Sequence, residues 1–137
     1  MTGRVAFTAA ALLILGLSSA LAHGSLAVGI PRDVAAGGVA IGVSWGVGSA
    51  AEAQREAIQF CKGTQGVPAS TISLCKVVHT FKNACVSVAM DRQTGTSGFG
   101  WGAGGNSTES GWAALEKCRA TAGARASACR VVDSTCD

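Results

Sequence analysis

The chain has 137 residues, 48% of them hydrophobic and 14% charged, which excludes an intrinsically disordered chain and points to one folded domain. Eleven Lys and Arg face eight Asp and Glu, a net charge of +3. That surplus is too small for the basic field nucleic-acid binding needs.

Residues 1–22 read as a secretory signal peptide. Arg4 precedes an apolar run over residues 5–17, and Ala20-Leu21-Ala22 supplies small residues before a cleavage point. Cleavage there leaves residues 23–137 as a single six-cysteine domain. A membrane anchor is the alternative, but no basic stop-transfer cluster follows the run. The expected location is therefore secreted or periplasmic, with no membrane association once the leader is removed.

The six cysteines, Cys61, Cys75, Cys85, Cys118, Cys129 and Cys136, all follow the leader. An even count in a small exported domain implies disulfides. A zinc site would bring ligands in close pairs, and the nearest two here, Cys129 and Cys136, are seven apart. Of the two histidines, His23 would begin the mature chain and His79 sits in a strand-like run. No metal and no cofactor are expected.

The strand signal, alternation with period two, opens each half of the chain. Leu26, Val28 and Ile30 form one candidate strand. In the next, Val39, Ile41, Val43 and Trp45 point one way and Ala40, Gly42 and Ser44 the other. Later, Val86, Val88 and Met90 alternate with Ser87 and Ala89, and Phe99 and Trp101 alternate with glycines. Turn-formers separate the strands at Pro31-Arg32-Asp33 and at residues 91–95.

Helices follow, and they expose a repeat. Ser49, Glu52, Ala57 and Cys61 recur as Asn106, Glu109, Ala114 and Cys118, all at an offset of 57. Each copy opens with a capping-box signal, a Ser or Asn followed three residues later by Glu. Trp45-Gly46 lies over Trp101-Gly102, and Cys75-Lys76-Val77-Val78 over Cys129-Arg130-Val131-Val132. The fold class expected is α+β: two β-β-α-β units, about residues 24–81 and 83–137, sharing one core. Ala53, Ala57 and Ala114 should face the sheet, with Val43, Trp45, Val77, Val86, Val88, Phe99 and Trp101 supplying the bulk. Equivalent positions should make equivalent bonds, pairing Cys61 with Cys75 and Cys118 with Cys129, which leaves Cys85 with Cys136.

The order Ala50, Ala57, Cys61, then Cys75-Lys76-Val77-Val78, Phe81-Lys82-Asn83-Ala84-Cys85, a second Ala-rich helix and Cys118, Cys129, Cys136 resembles a bacterial exported family, domain of unknown function 4189. The resemblance covers the chain from about Gly24 onward, although this sequence lacks tyrosine and has a longer loop between Cys61 and Cys75. It implies export and an α+β domain, and it brings no catalytic residue with it.

No catalytic residue is expected. Asp33, Asp91 and Asp133 have no fixed spacing to His79, and no serine sits in a G-x-S-x-G elbow. Glu52 and Glu109 are explained by the positive ends of their helices, and Lys62, Lys117 and Arg119 by the negative ends. The glycine run at residues 98–105 lacks the Lys-Ser/Thr pair of a P-loop, so its glycines should serve close packing. His79 shares a strand face with Cys75, Val77 and Phe81 and reads as a partly buried structural residue. Trp112 lies roughly 160° round the helix from Ala114, on the polar side, as a candidate binding anchor. Its counterpart is Arg55.

The expected function is non-catalytic binding, of the kind an inhibitor uses, with a protein, glycan or envelope component as partner and the chain as a monomer. The loops around Arg32 and Gln93 are the fallback surface. The alternatives are a structural or stress-resistance component of the envelope, and a hydrolase whose site the sequence does not reveal.

Overall fold

The computed structural model describes residues 22–137. The expected leader, except Ala22, falls outside them.

The first two alternating segments form β1 (His23–Gly29) and β2 (Ala40–Val47), antiparallel, with Gly29 opposite Ala40 and Ser25 opposite Ser44. Between them lies a single helical turn, α1 (Val34–Gly37), whose cap Asp33 accepts from the Ala36 amide at 3.0 Å. Helix α2 (Ala50–Lys62) starts where Ser49 Oγ accepts from the Glu52 amide at 3.2 Å. After a short α3 (Ala69–Ile72), β3 (Lys76–Phe81) returns along the other side of β1, giving the order β2-β1-β3.

The second half repeats this plan. Strands β4 (Cys85–Met90) and β5 (Phe99–Gly104) pair, and α4 (Ser107–Thr121) begins where Asn106 Oδ1 accepts from the Glu109 amide at 3.0 Å. A 3-10 segment, Gly123–Ala128, leads to β6 (Arg130–Cys136), and the order is β5-β4-β6. Even the irregularities correspond. The β1–β3 register slips between Leu26 and Ala27, and the β4–β6 register between Val88 and Ala89.

The two sheets stack face to face, with a helix on each outer side. Leu26, Val28, Val43 and Phe81 of the first sheet meet Val86, Val88 and Phe99 of the second in one buried cluster. On the outer faces the fully buried contacts are between small side chains: Ala27 and Ala40 against Ala57 and Cys61, and Ala89 against Ala114 and Cys118. A Cβ on Gly42 would run into the backbone of Ala57 and Cys61, and one on Gly100 into that of Ala114 and Cys118. Close seating of the helices therefore depends on the absent side chain, not on positive φ. Buried hydroxyls fasten the same interfaces: Ser44 Oγ donates to the Ala53 carbonyl at 2.6 Å, and Ser87 and Ser110 share a hydrogen bond of 2.7 Å.

Three disulfides, Cys61–Cys75, Cys118–Cys129 and Cys85–Cys136, join elements within each half. The first two each tie a helix to the strand after it. The third links β4 to β6.

Two tryptophans expected in the core are not there. Trp45 is 59% exposed, and Trp101 is half-buried at the rim. The cause is register. Gly42 and Gly100 lie under equivalent helix turns, and Ile41 and Phe99 bond equivalent threonines, so Val43 corresponds to Trp101 and Trp45 to Ala103. The matching Trp-Gly pairs are two residues out of step. Trp45 thus stands near the end of edge strand β2, past the point where the opposing sheet covers it. Val77 is likewise half-buried, because β3 is an edge strand.

Candidate functional site

Among the described residues the candidate acids and His79 do not converge. Asp33 is occupied as a helix cap, and Asp133 is exposed on β6. His79 lies on β3, stacked on Phe81 with ring centroids 6.2 Å apart and tilted against Trp101 at 5.7 Å. Among the described residues no three His, Cys, Asp or Glu side chains converge as metal ligands.

The carboxylate of Asp91, whose pKa is lowered, has a structural task. The Asp91 side chain, only 3% exposed, receives the Arg125 guanidinium through Nε to Oδ2 at 2.5 Å and through a second nitrogen to Oδ1 at 3.1 Å. Those bonds hold its carboxyl below the usual range, and the Gln93 amide, 3.0 Å from Oδ1, pulls the same way against the cost of burial. Arg125 is raised in turn by the same contact. The pair fastens the β4–β5 turn to the 3-10 segment behind α4.

A groove of about 880 Å³ runs beside the β5 edge. Phe99 and Trp101 form its floor, Lys117 and Thr121 of α4 one wall, and Ile30, Arg32 and Val34 the other. This volume lies within the range of ligand clefts, about 300–1,000 Å³. Lys117 Nζ sits 4.3 Å from the centre of the Trp101 ring, a cation–π contact. Its helix lies on the outer face of the sheet and Trp101 points to the inner face, so the lysine stem crosses the β5 edge.

Trp112 lies elsewhere. It is 59% exposed on α4, five residues before Lys117 and turned about 140° away from it. Ile30 and Phe60 are also exposed, Ile30 in the groove and Phe60 on α2.

These features define an internally duplicated, disulfide-stapled α+β domain. Residues 23–136 match the family described as Domain of unknown function (DUF4189), and the chain belongs to that family. Comparison with curated proteins and with solved structures finds no match. No helix among the described residues is long and apolar enough to cross a membrane.

The groove was not visible in the sequence, because its parts come from three separate segments, residues 30–34, 97–101 and 117–121. Lys117 was explained by its helix end, and that explanation hid its reach over Trp101. The available signal was the pair Phe99 and Trp101, two large aromatics on a strand otherwise built of glycine and alanine.

Proposed function

We propose that this is an exported protein, secreted or periplasmic, that acts by binding a partner and not by catalysis. The observation that carries this reading is the groove beside β5, apolar along its floor and bordered by Lys117 and Arg32. Three disulfides support both export and rigidity, since a preorganised scaffold lowers the ordering cost of binding. Trp112 supports a second contact surface, because an exposed tryptophan on a helix can anchor a partner.

Immobilised protein is expected to retain an envelope or host component saturably. Lys117→Glu should weaken that retention if the groove is the contact, and Trp112→Ala if the helix face is. Turnover of an envelope substrate that survives repurification would overturn the reading.

A further inference from the structure

The outer edge of β5 carries unspent backbone groups. Phe99 directs its N–H and C=O away from β4, because both meet the Thr121 hydroxyl on α4, at 3.0 and 2.9 Å. In an antiparallel pair the hydrogen-bonding direction alternates, so Trp101 and Ala103 also present their N–H and C=O outward. The groove opens along this edge. An exposed edge of this kind is a template for one more strand.

Charge decides what kind of strand. Lys117 and Arg32 border the groove, and neither is paired with a carboxylate among the described residues. The groove's single carboxylate, Asp33, is engaged with the Ala36 amide. Side chains of an added strand alternate between its faces. One set would meet Ile30, Val34 and Trp101 on the inner face, and the other would lie beside Lys117 on the helix side.

Building on the binding reading above, we propose that the β5 edge receives an extended peptide segment of a partner protein, alternating apolar and acidic, as an added strand. Its carboxylates meet Lys117 and its apolar side chains fill the groove. Without the partner, the lysine stem lies across the edge over Trp101 and guards it. A second copy of the chain is the wrong occupant. Residues 99–104 carry no carboxylate, and two-fold pairing of β5 edges would bring the two Lys117 ammonium groups together.

The other half provides a control. The position equivalent to Lys117 is Phe60, and the β2 edge is partly closed, because the Gly46 amide donates to Asp137 Oδ1 at 3.1 Å.

The test is titration of the purified protein with a capped hexapeptide alternating valine and glutamate, and with its valine–lysine counterpart. Amide shifts are followed by NMR. The acidic peptide is expected to bind, with the largest shifts at Trp101 and Ala103, and the basic one to bind at least about tenfold more weakly. Ala103→Pro removes an outward N–H at an edge position that tolerates proline, and should abolish binding. Lys117→Glu, which leaves the backbone intact, should cost the acidic peptide at least about tenfold and reverse the preference. Phe60→Ala should change nothing. Equal binding of both peptides, no binding of either, shifts centred on Trp112, or self-association through β5 would each overturn the proposal. Saturable retention of an envelope component that is indifferent to both Ala103→Pro and Lys117→Glu would sink the strand-addition proposal and leave the binding reading standing. Catalytic turnover would sink the binding reading itself.

Discussion

The Thr121 hydroxyl accepts from the Phe99 amide at 3.0 Å and donates to the Phe99 carbonyl at 2.9 Å. Thr64 does the same for Ile41, at 3.0 and 3.1 Å. Each threonine lies just past a helix cysteine and closes the start of an edge strand whose groups would otherwise lack a protein partner. Replacing Thr121 by Val keeps the shape and removes the hydrogen bonds, so it should cost about 1–3 kcal/mol. Thr64→Val should cost a similar amount. Urea denaturation checks both, and an unchanged midpoint for either would show that water replaces the hydroxyl freely.

Gly42 and Gly100 set how closely the helices lie on their sheets. The atoms a new Cβ would strike belong to the backbone of α2 and α4, which cannot rotate aside. Gly42→Ala and Gly100→Ala should each cost about 1–3 kcal/mol through overpacking. Ala57→Leu, at a position with no exposure, should fall in the same range. Melting temperatures read all three. No change in any of them would mean the helices sit farther out than the contacts indicate.

Period-two alternation and the capping pairs Ser49/Glu52 and Asn106/Glu109 carried most of the architecture, because local hydrogen bonding and burial on one face leave a local pattern. Matching the halves by one offset failed where loops differ in length. Trp45 was set over Trp101, although the structure matches Trp101 with Val43. The stacking of sheet on sheet was not legible either. Alternation says that one face of Val43 or Val88 is buried, and not whether a helix or another sheet buries it. The groove needs that missing information, since Ile30 and Lys117 face each other only after the sheets have stacked.

Asp91 gives the fold a defined acid limit. Its carboxyl is depressed by Arg125 and the Gln93 amide, so the folded state binds the proton less readily than the unfolded chain. Its contribution is fully present above the unfolded value of about 3.9 and is lost as pH falls through the lower folded value. Asp91→Asn should lower stability at neutral pH and flatten the fall below about pH 4. Stability measured from neutral to strongly acidic pH checks this. An acid limb as steep as in the parent protein would assign the loss to other carboxylates.

Trp45 and Trp101 separate surface from rim. Trp45→Ala should shift stability by no more than about 0.5 kcal/mol, since the side chain is 59% exposed. Trp101→Ala should cost about 2 kcal/mol. It removes a half-buried ring that touches His79 and Lys117 and packs on the core, and so falls short of the loss for a fully buried tryptophan. Chemical denaturation ranks the pair. Equal costs would mean that the two halves are matched at these positions after all.

Strand β6 depends on its disulfide more than on burial. Among its side chains only Val132 and Thr135 are even half-buried, and it is an edge strand paired only with β4. Cys85 and Cys136 are cross-strand partners, and their bridge closes a separation of 51 residues, against 14 and 11 for the other two. In the chain-entropy account the longer loop contributes about 4 kcal/mol and each short one about 3. The double change Cys85→Ser and Cys136→Ser should therefore lower stability by about 4 kcal/mol. It should also free the end of β6 locally, because little apolar surface holds it. Hydrogen exchange is expected to quicken more at Thr135 and Asp137, whose amide donates to the Ala84 carbonyl at 3.0 Å, than in β1, whose amides follow only the global loss. Uniform quickening across both sheets would show instead that the bridge stabilises the whole fold through the unfolded chain and does not hold β6 in particular.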